Sequence, residues 1–190
     1  MILYLHGFRS SPQSFKAQLL ADKMTAVGLA HQWVCPFLPA SPKQAIALAQ
    51  SLVKSIDAQD LTIIGSSLGG FYATWLAEQM GCCAVLLNPA VKPPENLESY
   101  IGVSTYFHNN EPFEFKREYI DELRALMVPN ITCPQRYFLI ASKGDEVLDW
   151  RDMVRHYPGA RQLVLAGSDH GITEFAQYAD QVLAFAGVLS

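Results

Sequence analysis

The stretch Leu61-Thr62-Ile63-Ile64-Gly65-Ser66-Ser67-Leu68-Gly69 carries the strongest structural signal in this chain of 190 residues. Its first four residues form a short apolar run typical of a buried strand, and the apolar segment from Gly69 to Met80 predicts a helix directly after it. Between strand and helix, Ser67 is flanked by Gly65 and Gly69, which fits the pattern G-x-S-x-G. Such a serine is forced onto a tight turn with strained dihedral angles, and its hydroxyl is held clear of the sheet.

The motif by itself leaves one other interpretation of this turn open. Ser66 is a neighbouring hydroxyl, but only Ser67 has glycine two positions before and two positions after it. A glycine-bracketed turn between a strand and a helix can also bind a phosphate at the helix N-terminus, without any catalytic role. Other parts of the chain must show whether Ser67 is a nucleophile or belongs to a non-catalytic turn.

Short apolar segments alternate with stretches of helical periodicity, which is typical of βα units and a parallel sheet. Most of these segments are apolar on both faces, as strands covered by helices must be. Six strands are predicted: Ile2 to Leu5, Gln32 to Phe37, Leu61 to Ile64, Cys83 to Leu87, Arg136 to Ala141 and Gln162 to Leu165. The predicted fold class is therefore α/β, with a mainly parallel sheet of about six strands flanked by helices.

The helix after the second strand has a clear start signal. Ser41 can cap its free N–H groups, and Pro42 suits its first position because proline already has a φ near about −65°. An apolar stripe then predicts the buried face of this helix: Ala45, Leu48, Ala49, Leu52 and Ile56. A similar stripe of Phe15, Leu19, Met24 and Val27 predicts an earlier helix.

The segment 88–134 interrupts the alternation and is rich in proline, asparagine and aromatic residues. It contains one predicted helix, around Phe115 to Met127. Long insertions within compact folds are commonly functional. We therefore expect a small cap over the strand ends, within a single domain that spans residues 1–190.

A serine needs a base to take its proton, and the base needs a partner that fixes its tautomer. In the α/β-hydrolase fold these residues follow in the order serine, acid, histidine. Asp145 follows the fifth predicted strand and His170 follows the sixth, at the sheet edge where Ser67 is expected. His170 is therefore the predicted base and Asp145 the predicted acid, with Asp149 as the next candidate.

The other ionisable residues near these positions are weaker candidates. Four further histidines, His6, His31, His108 and His156, do not follow the last strand, and Glu146 and Asp169 crowd the same loops as Asp145. Leu5-His6-Gly7-Phe8 closes the first strand. In this fold the oxyanion is held by the N–H after the nucleophile and by one from an early loop, which predicts Leu68 and Phe8 as donors. His6 is expected to have a structural role.

Composition excludes several classes of function. Half of the residues are hydrophobic and 17% are charged, with a formal net charge of −4 and no basic stripe that would follow a nucleic acid. No apolar run approaches the roughly 20 residues of a membrane span, and no secretion signal is visible, so a cytoplasmic location is expected. No metal, nucleotide or redox motif is found, so no cofactor and no metal are expected.

The chain resembles the family of small bacterial α/β-hydrolase esterases typified by YqiA and YcfP, and the similarity runs nearly end to end. The landmarks are Leu3-Tyr4-Leu5-His6-Gly7-Phe8, Ser10-Ser11-Pro12, Gly65-Ser66-Ser67-Leu68-Gly69-Gly70, Tyr72-Ala73-Thr74-Trp75-Leu76, Asn88-Pro89-Ala90-Val91 and Gly144-Asp145-Glu146-Val147-Leu148-Asp149. This resemblance implies a compact hydrolase whose sheet lacks the first two strands of larger relatives. It also implies esterase and thioesterase activity, with Ser67, Asp145 and His170 as the triad.

The sequence thus predicts a serine esterase or thioesterase that forms an acyl-serine on a small-molecule substrate. Two alternatives stay open: a serine hydrolase of another bond preference, such as a peptidase or a C–C hydrolase, and a non-catalytic binding module on the same fold. The sequence does not predict the oligomeric state, the acyl chain length or the physiological substrate.

Overall fold

A computed structural model describes residues 1–189 and contains a six-stranded sheet and a separate two-stranded hairpin. The eight strands are β1 (Ile2–Leu5), β2 (Trp33–Val34), β3 (Thr62–Ser66), β4 (Cys83–Leu87), β5 (Gly102–Thr105), β6 (Pro112–Phe115), β7 (Tyr137–Ser142) and β8 (Arg161–Leu165). The large sheet has the order β2-β1-β3-β4-β7-β8, and all of its neighbouring pairs are parallel. The predicted six-stranded parallel sheet is confirmed.

Three strands differ in length from the prediction, and one of them, β8, differs only because it begins one residue earlier, at Arg161. β2 has only two residues, because the chain after Val34 leaves the sheet edge and runs towards Leu38, whose N–H donates to the imidazole of His6. β3 extends past the predicted end and includes Ser66, which pairs with Leu87 of β4. The longer β3 brings Ser67 directly to the carboxyl edge of the sheet.

Within residues 1–189, seven α-helices cover the sheet and form part of the cap. They are α1 (Phe15–Ala26), α2 (Pro42–Val53), α3 (Leu68–Met80), α4 (Pro93–Leu97), α5 (Glu118–Ala125), α6 (Trp150–His156) and α7 (Ala179–Phe185). One core cluster joins α1 and α7 to one face of the sheet, and a second joins α2, α3, α6 and the cap to the other face. Within residues 1–189, none of these helices combines the length and the apolar character that crossing a membrane requires.

The buried stripe of α2 is rotated relative to the prediction. Ile46 and Val53 are buried, whereas Leu52 is exposed on the surface. The α2 sequence is apolar enough to offer two overlapping stripes, and packing against the sheet selects one of them. The predicted stripe of α1 is also partly wrong, since Phe15 and Val27 at its two ends are exposed.

The segment 88–134 folds over the carboxyl ends of the strands as α4, the β5–β6 hairpin and α5. The hairpin was not predicted, and α5 is shorter than the predicted helix because Phe115 belongs to β6. Leu97, Phe115 and Leu123 of this segment are buried in the same cluster as the sheet. The cap therefore shares the core of the sheet.

The helices that follow β1 and β3 pack on opposite faces of the sheet. In an open parallel sheet, such a reversal leaves a crevice outside the carboxyl ends of the two strands, and ligands bind there. The loop after β1 and the turn after β3 form the walls of this crevice. Both predicted oxyanion donors and the predicted nucleophile lie in these two segments.

Candidate active site

Ser67 occupies a strained turn between β3 and α3. Its backbone has φ 55° and ψ −120°, which is a rare conformation for a residue with a side chain. A Cβ at Gly65 would lie 2.2 Å from the carbonyl oxygen of Gly69, and one at Gly69 would lie 1.9 Å from that of Leu5. Only glycine fits at these two positions, so the G-x-S-x-G spacing is a steric requirement of the turn.

The turn is also fixed to the neighbouring strand. The N–H of Ser67 donates to the carbonyl of Leu87 at 3.0 Å, and its carbonyl accepts from the N–H of Ala90 at 3.0 Å. Ser66, by contrast, is buried within β3. Of the two adjacent hydroxyls, that of Ser67 is the one beside the crevice.

His170 links the other two predicted side chains. Its Nε2 lies 3.0 Å from Ser67 Oγ, and its Nδ1 lies 2.8 Å from Asp145 Oδ2. An ionised carboxylate only accepts hydrogen bonds, so Nδ1 carries the proton and Nε2 is the acceptor for the serine hydroxyl. Residues from three separate loops, 103 and 25 positions apart, thus form one continuous hydrogen-bonded chain.

Asp145 is oriented by the backbone of its own loop. Its side chain is 0% exposed, and its Oδ1 accepts from the N–H groups of Val147 and Leu148 at 2.8 Å each. This leaves Oδ2 for the imidazole. The carboxylate therefore holds one fixed orientation towards His170.

The other carboxylates of these loops make different contacts. Asp149 caps α6 by accepting from the N–H of Arg151, and Asp169 accepts from the backbone and hydroxyl of Thr173. Glu146 accepts from the backbone N–H of His170, outside the imidazole. Among residues 1–189, none of these three carboxylates forms a hydrogen bond with the histidine ring.

The predicted oxyanion donors lie at the same cavity as Ser67. The N–H groups of Phe8 and Leu68 donate to no acceptor within residues 1–189, and both residues line the cavity together with the serine. A Cβ at Gly7 would lie 3.1 Å from that of Ser67, so the loop after β1 passes very close to the turn. Two residues further along this loop, Arg9 has a positive φ of 61°.

The side chain of Phe8 anchors this loop to the cap. Three aromatic rings make edge contacts with it: Tyr100, Phe113 and Phe115, at centroid distances of 5.3, 5.8 and 5.2 Å. Such pairs contribute about 0.5–1.5 kcal/mol each beyond the area they bury. The cap thus supports a predicted oxyanion donor from behind.

His6 is a structural residue at the end of β1. It is 3% exposed, its Nδ1–H donates to the carbonyl of Gly7, and its Nε2 accepts from the N–H of Leu38 at 3.0 Å. Burial lowers its pKa from 6.5 to about 4. The fold therefore requires a neutral imidazole at this position.

The free energy of unfolding should fall as the pH drops from about 6.5 to about 4, because only the unfolded chain then binds a proton at His6. The loss should reach roughly 3 kcal/mol for a pKa difference of this size. His6→Gln keeps an acceptor for Leu38 and removes the titration, so its denaturant-derived stability should depend less on pH in this range. Equal pH slopes for the two proteins would contradict this role. His156, whose pKa burial also lowers, is common to both proteins and cancels in the comparison.

The cavity at Ser67 has a volume of about 360 Å³. On one side it is bounded by the loop after β1 and the first turn of α3. On the other side it is bounded by α4 and by the loops that carry Asp145 and His170. Its apolar part comes from cap residues such as Leu97, Tyr100 and Phe107 and from Val147 and Leu148. An acyl or alkyl chain bound there would lie next to the serine hydroxyl.

Asn88 is a residue of this site that motif reasoning did not assign a role. It follows β4, is 1% exposed and has a φ of 43°. Its amide nitrogen donates to the carbonyls of Asp169 and His170 at 3.0 Å each and to Ser142 Oγ, and its Oδ1 accepts from the N–H of Ser142. One side chain thus ties the ends of two strands to the histidine loop. Its occurrence within the landmark Asn88-Pro89-Ala90-Val91 was the only signal in the sequence.

A second contact holds the same loop from the other side. The side-chain amine of Lys16 in α1 donates a hydrogen bond to the carbonyl of Gly171. Burial lowers the pKa of this amine to about 8, against the opposing effect of Asp169 and Asp145. Hydrogen bonds therefore hold the backbone of this loop at three consecutive residues: Asp169, His170 and Gly171.

Asn88→Asp should lower kcat of the ester hydrolysis proposed below by about 100-fold and leave KM nearly unchanged. A carboxylate cannot donate to the two carbonyls, so the histidine loop shifts, and a displacement near 1 Å has an effect of this size. Asn88→Gly is the matched variant, because glycine keeps the positive φ and loses only the amide. It should lose kcat similarly, and a wild-type kcat in a folded Asn88→Gly protein would contradict the positioning role.

No group of three or more His, Cys, Asp or Glu side chains with metal-binding geometry occurs within the described residues.

Known structures share this fold at low sequence identity. A protein of Agrobacterium vitis S4, provisionally named a hydrolase, has a TM-score of 0.78 at 17% identity, over 97% of this chain and 87% of its own. Alpha/beta hydrolase domain-containing protein 10 from mouse has a TM-score of 0.69 at 15% identity, over 96% and 89%. One of the metagenome-derived lipolytic enzymes LipS and LipT has a TM-score of 0.71 at 16% identity, over 98% and 92%. The predicted α/β-hydrolase fold is thereby confirmed.

A family model gives the more specific relationship. The model of the uncharacterised protein family UPF0227 matches residues 1–187, which is nearly the whole chain. The resemblance to the YqiA and YcfP type of protein is confirmed by this match. The chain therefore belongs to the family UPF0227.

Proposed function

We propose that this protein is a serine hydrolase that cleaves carboxylic esters, including thioesters, through an acyl-serine intermediate. The observation that carries the proposal is the position of the His170 ring, whose two nitrogens lie 3.0 Å from Ser67 Oγ and 2.8 Å from Asp145 Oδ2. This is the arrangement that activates a serine for nucleophilic attack. The named activity of the lipolytic neighbours supports it by analogy of fold.

In the proposed first step, Ser67 Oγ attacks the carbonyl carbon of the substrate as His170 Nε2 takes the hydroxyl proton. The carbonyl oxygen becomes an oxyanion, and the N–H groups of Phe8 and Leu68 stabilise it. Asp145 stabilises the imidazolium. The bond to the leaving alcohol or thiol then breaks, and the imidazolium returns its proton to the leaving group.

In the second step, water attacks the acyl-serine while the same nitrogen takes its proton. The second oxyanion collapses, the acid is released and Ser67 recovers its proton from His170. The chain itself supplies every group in this sequence, so the proposal includes no cofactor. Each oxyanion donor should contribute about 10²–10³ to the rate.

The proposal is tested with the purified protein on aryl esters, acyl-thioesters and peptide anilides, together with labelling by a fluorophosphonate probe. We expect turnover of esters or thioesters and covalent labelling of Ser67, since only an activated serine reacts with the probe. Cleavage of the anilides alone would replace the ester preference by a peptidase activity. Neither turnover nor labelling would favour a non-catalytic binding module.

A further inference from the structure

Arg9 is the one permanently charged side chain among the described residues that line the cavity at Ser67. No aspartate or glutamate lines this cavity within residues 1–189, because Asp145 is fully covered behind the histidine. Within the described residues, the lining of this cavity therefore has one permanent positive charge and no carboxylate, although the chain as a whole has a net charge of −4. Nothing in the proposed triad chemistry requires a cation at this place.

The charge of Arg9 is not neutralised by the protein. Among residues 1–189, no carboxylate oxygen lies within 4.0 Å of its guanidinium. Its Nε donates to the carbonyl of Thr105 at 2.6 Å, and its Nη2 donates to Thr105 Oγ1 at 3.2 Å, both uncharged acceptors. A guanidinium has five N–H donors, so the remaining ones are available to a ligand.

The guanidinium is also held in one place before any ligand binds. Its Cζ lies 4.3 Å from the centroid of the Phe107 ring, which lines the same cavity. The backbone of Arg9 is fixed as well, since its carbonyl accepts from the N–H of Phe107 at 2.9 Å. A positioned cation loses little side-chain entropy on binding, which favours affinity for an anion.

Arg9 lines the same cavity as the groups of the proposed reaction. It directly follows Phe8, whose N–H is the proposed oxyanion donor, and both residues line the cavity with Ser67 and His170. A substrate whose carbonyl lies at the serine therefore has its remaining part within the cavity that Arg9 lines. Arginine binds carboxylate and phosphate groups through paired hydrogen bonds.

We propose that Arg9 binds a second, anionic group of the substrate, so that the preferred substrates are esters or thioesters that also carry a carboxylate or a phosphate. This inference rests on the proposed hydrolase function and adds the class of substrate to it. A purely structural clasp between Arg9 and the β5–β6 hairpin would hold the loop without distinguishing charged from neutral esters.

The test compares matched pairs of substrates. The first pair is an aryl ester whose acyl chain ends in a carboxylate and the same ester with that carboxylate methylated. The second pair is an acyl glycerol phosphate and the corresponding acyl glycerol. For the wild-type protein, kcat/KM should be about 10- to 100-fold higher for the charged member of at least one pair, as expected for a charge-assisted contact. The pair that responds identifies the anion as carboxylate or phosphate.

Arg9→Gln should reduce this ratio to within about 3-fold of unity, while Arg9→Lys should retain part of it because the charge remains. The ratio within one protein is the readout, since Arg9→Gln also loosens the clasp and can lower both rates together. Lys54→Gln on the exposed end of α2 changes the net charge equally and should leave the ratio unchanged.

Two results would overturn the inference: a ratio near unity for both pairs in the wild type, or a ratio that Arg9→Gln leaves unchanged. Failure of the proposed function looks different, because no ester of either pair would then be hydrolysed and Ser67 would not react with a fluorophosphonate.

Discussion

Ser67→Ala should lower kcat/KM for ester hydrolysis by about 10⁴- to 10⁶-fold, the range seen when a catalytic serine is removed. Without Oγ the acyl-enzyme cannot form. The residual activity of the variant would come from direct attack of water on the bound ester, which the two N–H donors and substrate binding still assist. The variant should fold normally, since alanine replaces a half-buried hydroxyl whose only hydrogen-bond partner within residues 1–189 is His170. The measurement is steady-state kinetics on the best ester of the panel, with circular dichroism as the control for folding.

Ser66→Ala is the matched control for this variant. It removes the adjacent hydroxyl, which is buried in β3. Activity should remain within about 10-fold of the wild type, because core substitutions of this size act mainly on stability. Comparable losses in both variants, or substantial activity in Ser67→Ala, would remove Ser67 from the mechanism.

Asp145→Asn should lower kcat/KM by about 10⁴-fold, an effect nearly as large. The asparagine oxygen can still accept from the N–H groups of Val147 and Leu148, so the loop should keep its conformation. Its NH₂ group would then face His170 Nδ1, which forces the ring proton onto Nε2. An imidazole with a proton on Nε2 cannot take one from Ser67, and the base is lost.

Asp149→Asn distinguishes Asp145 from the next candidate acid. Asp149 accepts from the N–H of Arg151 as the cap of α6, and asparagine caps helices about as well as aspartate does. We expect less than a 3-fold change in kcat/KM and little change in thermal stability. A larger loss for Asp149→Asn than for Asp145→Asn would show that Asp145 is not the acid of the triad. Rates of fluorophosphonate labelling should follow the same order as kcat/KM.

The β5–β6 hairpin contacts both the proposed oxyanion donor, Phe8, and the proposed substrate-binding residue, Arg9. The hairpin contacts Phe8 through aromatic rings and Arg9 through Thr105 and Phe107. A change in the hairpin should therefore affect substrate preference and rate together. The cap of this protein is thus a support for the loop after β1 as well as a cover for the cavity.

Prediction of the fold from the sequence succeeded where neighbouring residues determine the structure. Short apolar runs, most of them apolar on both faces, identified all six strands of the large sheet, and glycine spacing identified the turn at Ser67. The prediction was wrong where a segment can adopt several local conformations or packing orientations of similar energy. The apolar stripe of α2 could be placed in two rotations, and the two strands of the β5–β6 hairpin have only four residues each, which is too short for a clear alternation. Contacts with other elements decided both cases.

The sequence by itself determined the turn that presents Ser67, because a Cβ at Gly65 or Gly69 would overlap the backbone of adjacent segments. It also determined the order of the chain, which places Phe8, Asp145 and His170 after strands that end at the same edge. Only the tertiary structure decided which carboxylate faces the histidine, that Asn88 ties the histidine loop to two strands, and that Arg9 lies in the cavity. The physical reason is the range over which the interactions act along the chain. Steric limits and hydrophobic periodicity act within a few residues. Loop conformations such as the positive φ of Arg9 and Asn88 persist only through contacts with residues 50 to 100 positions away.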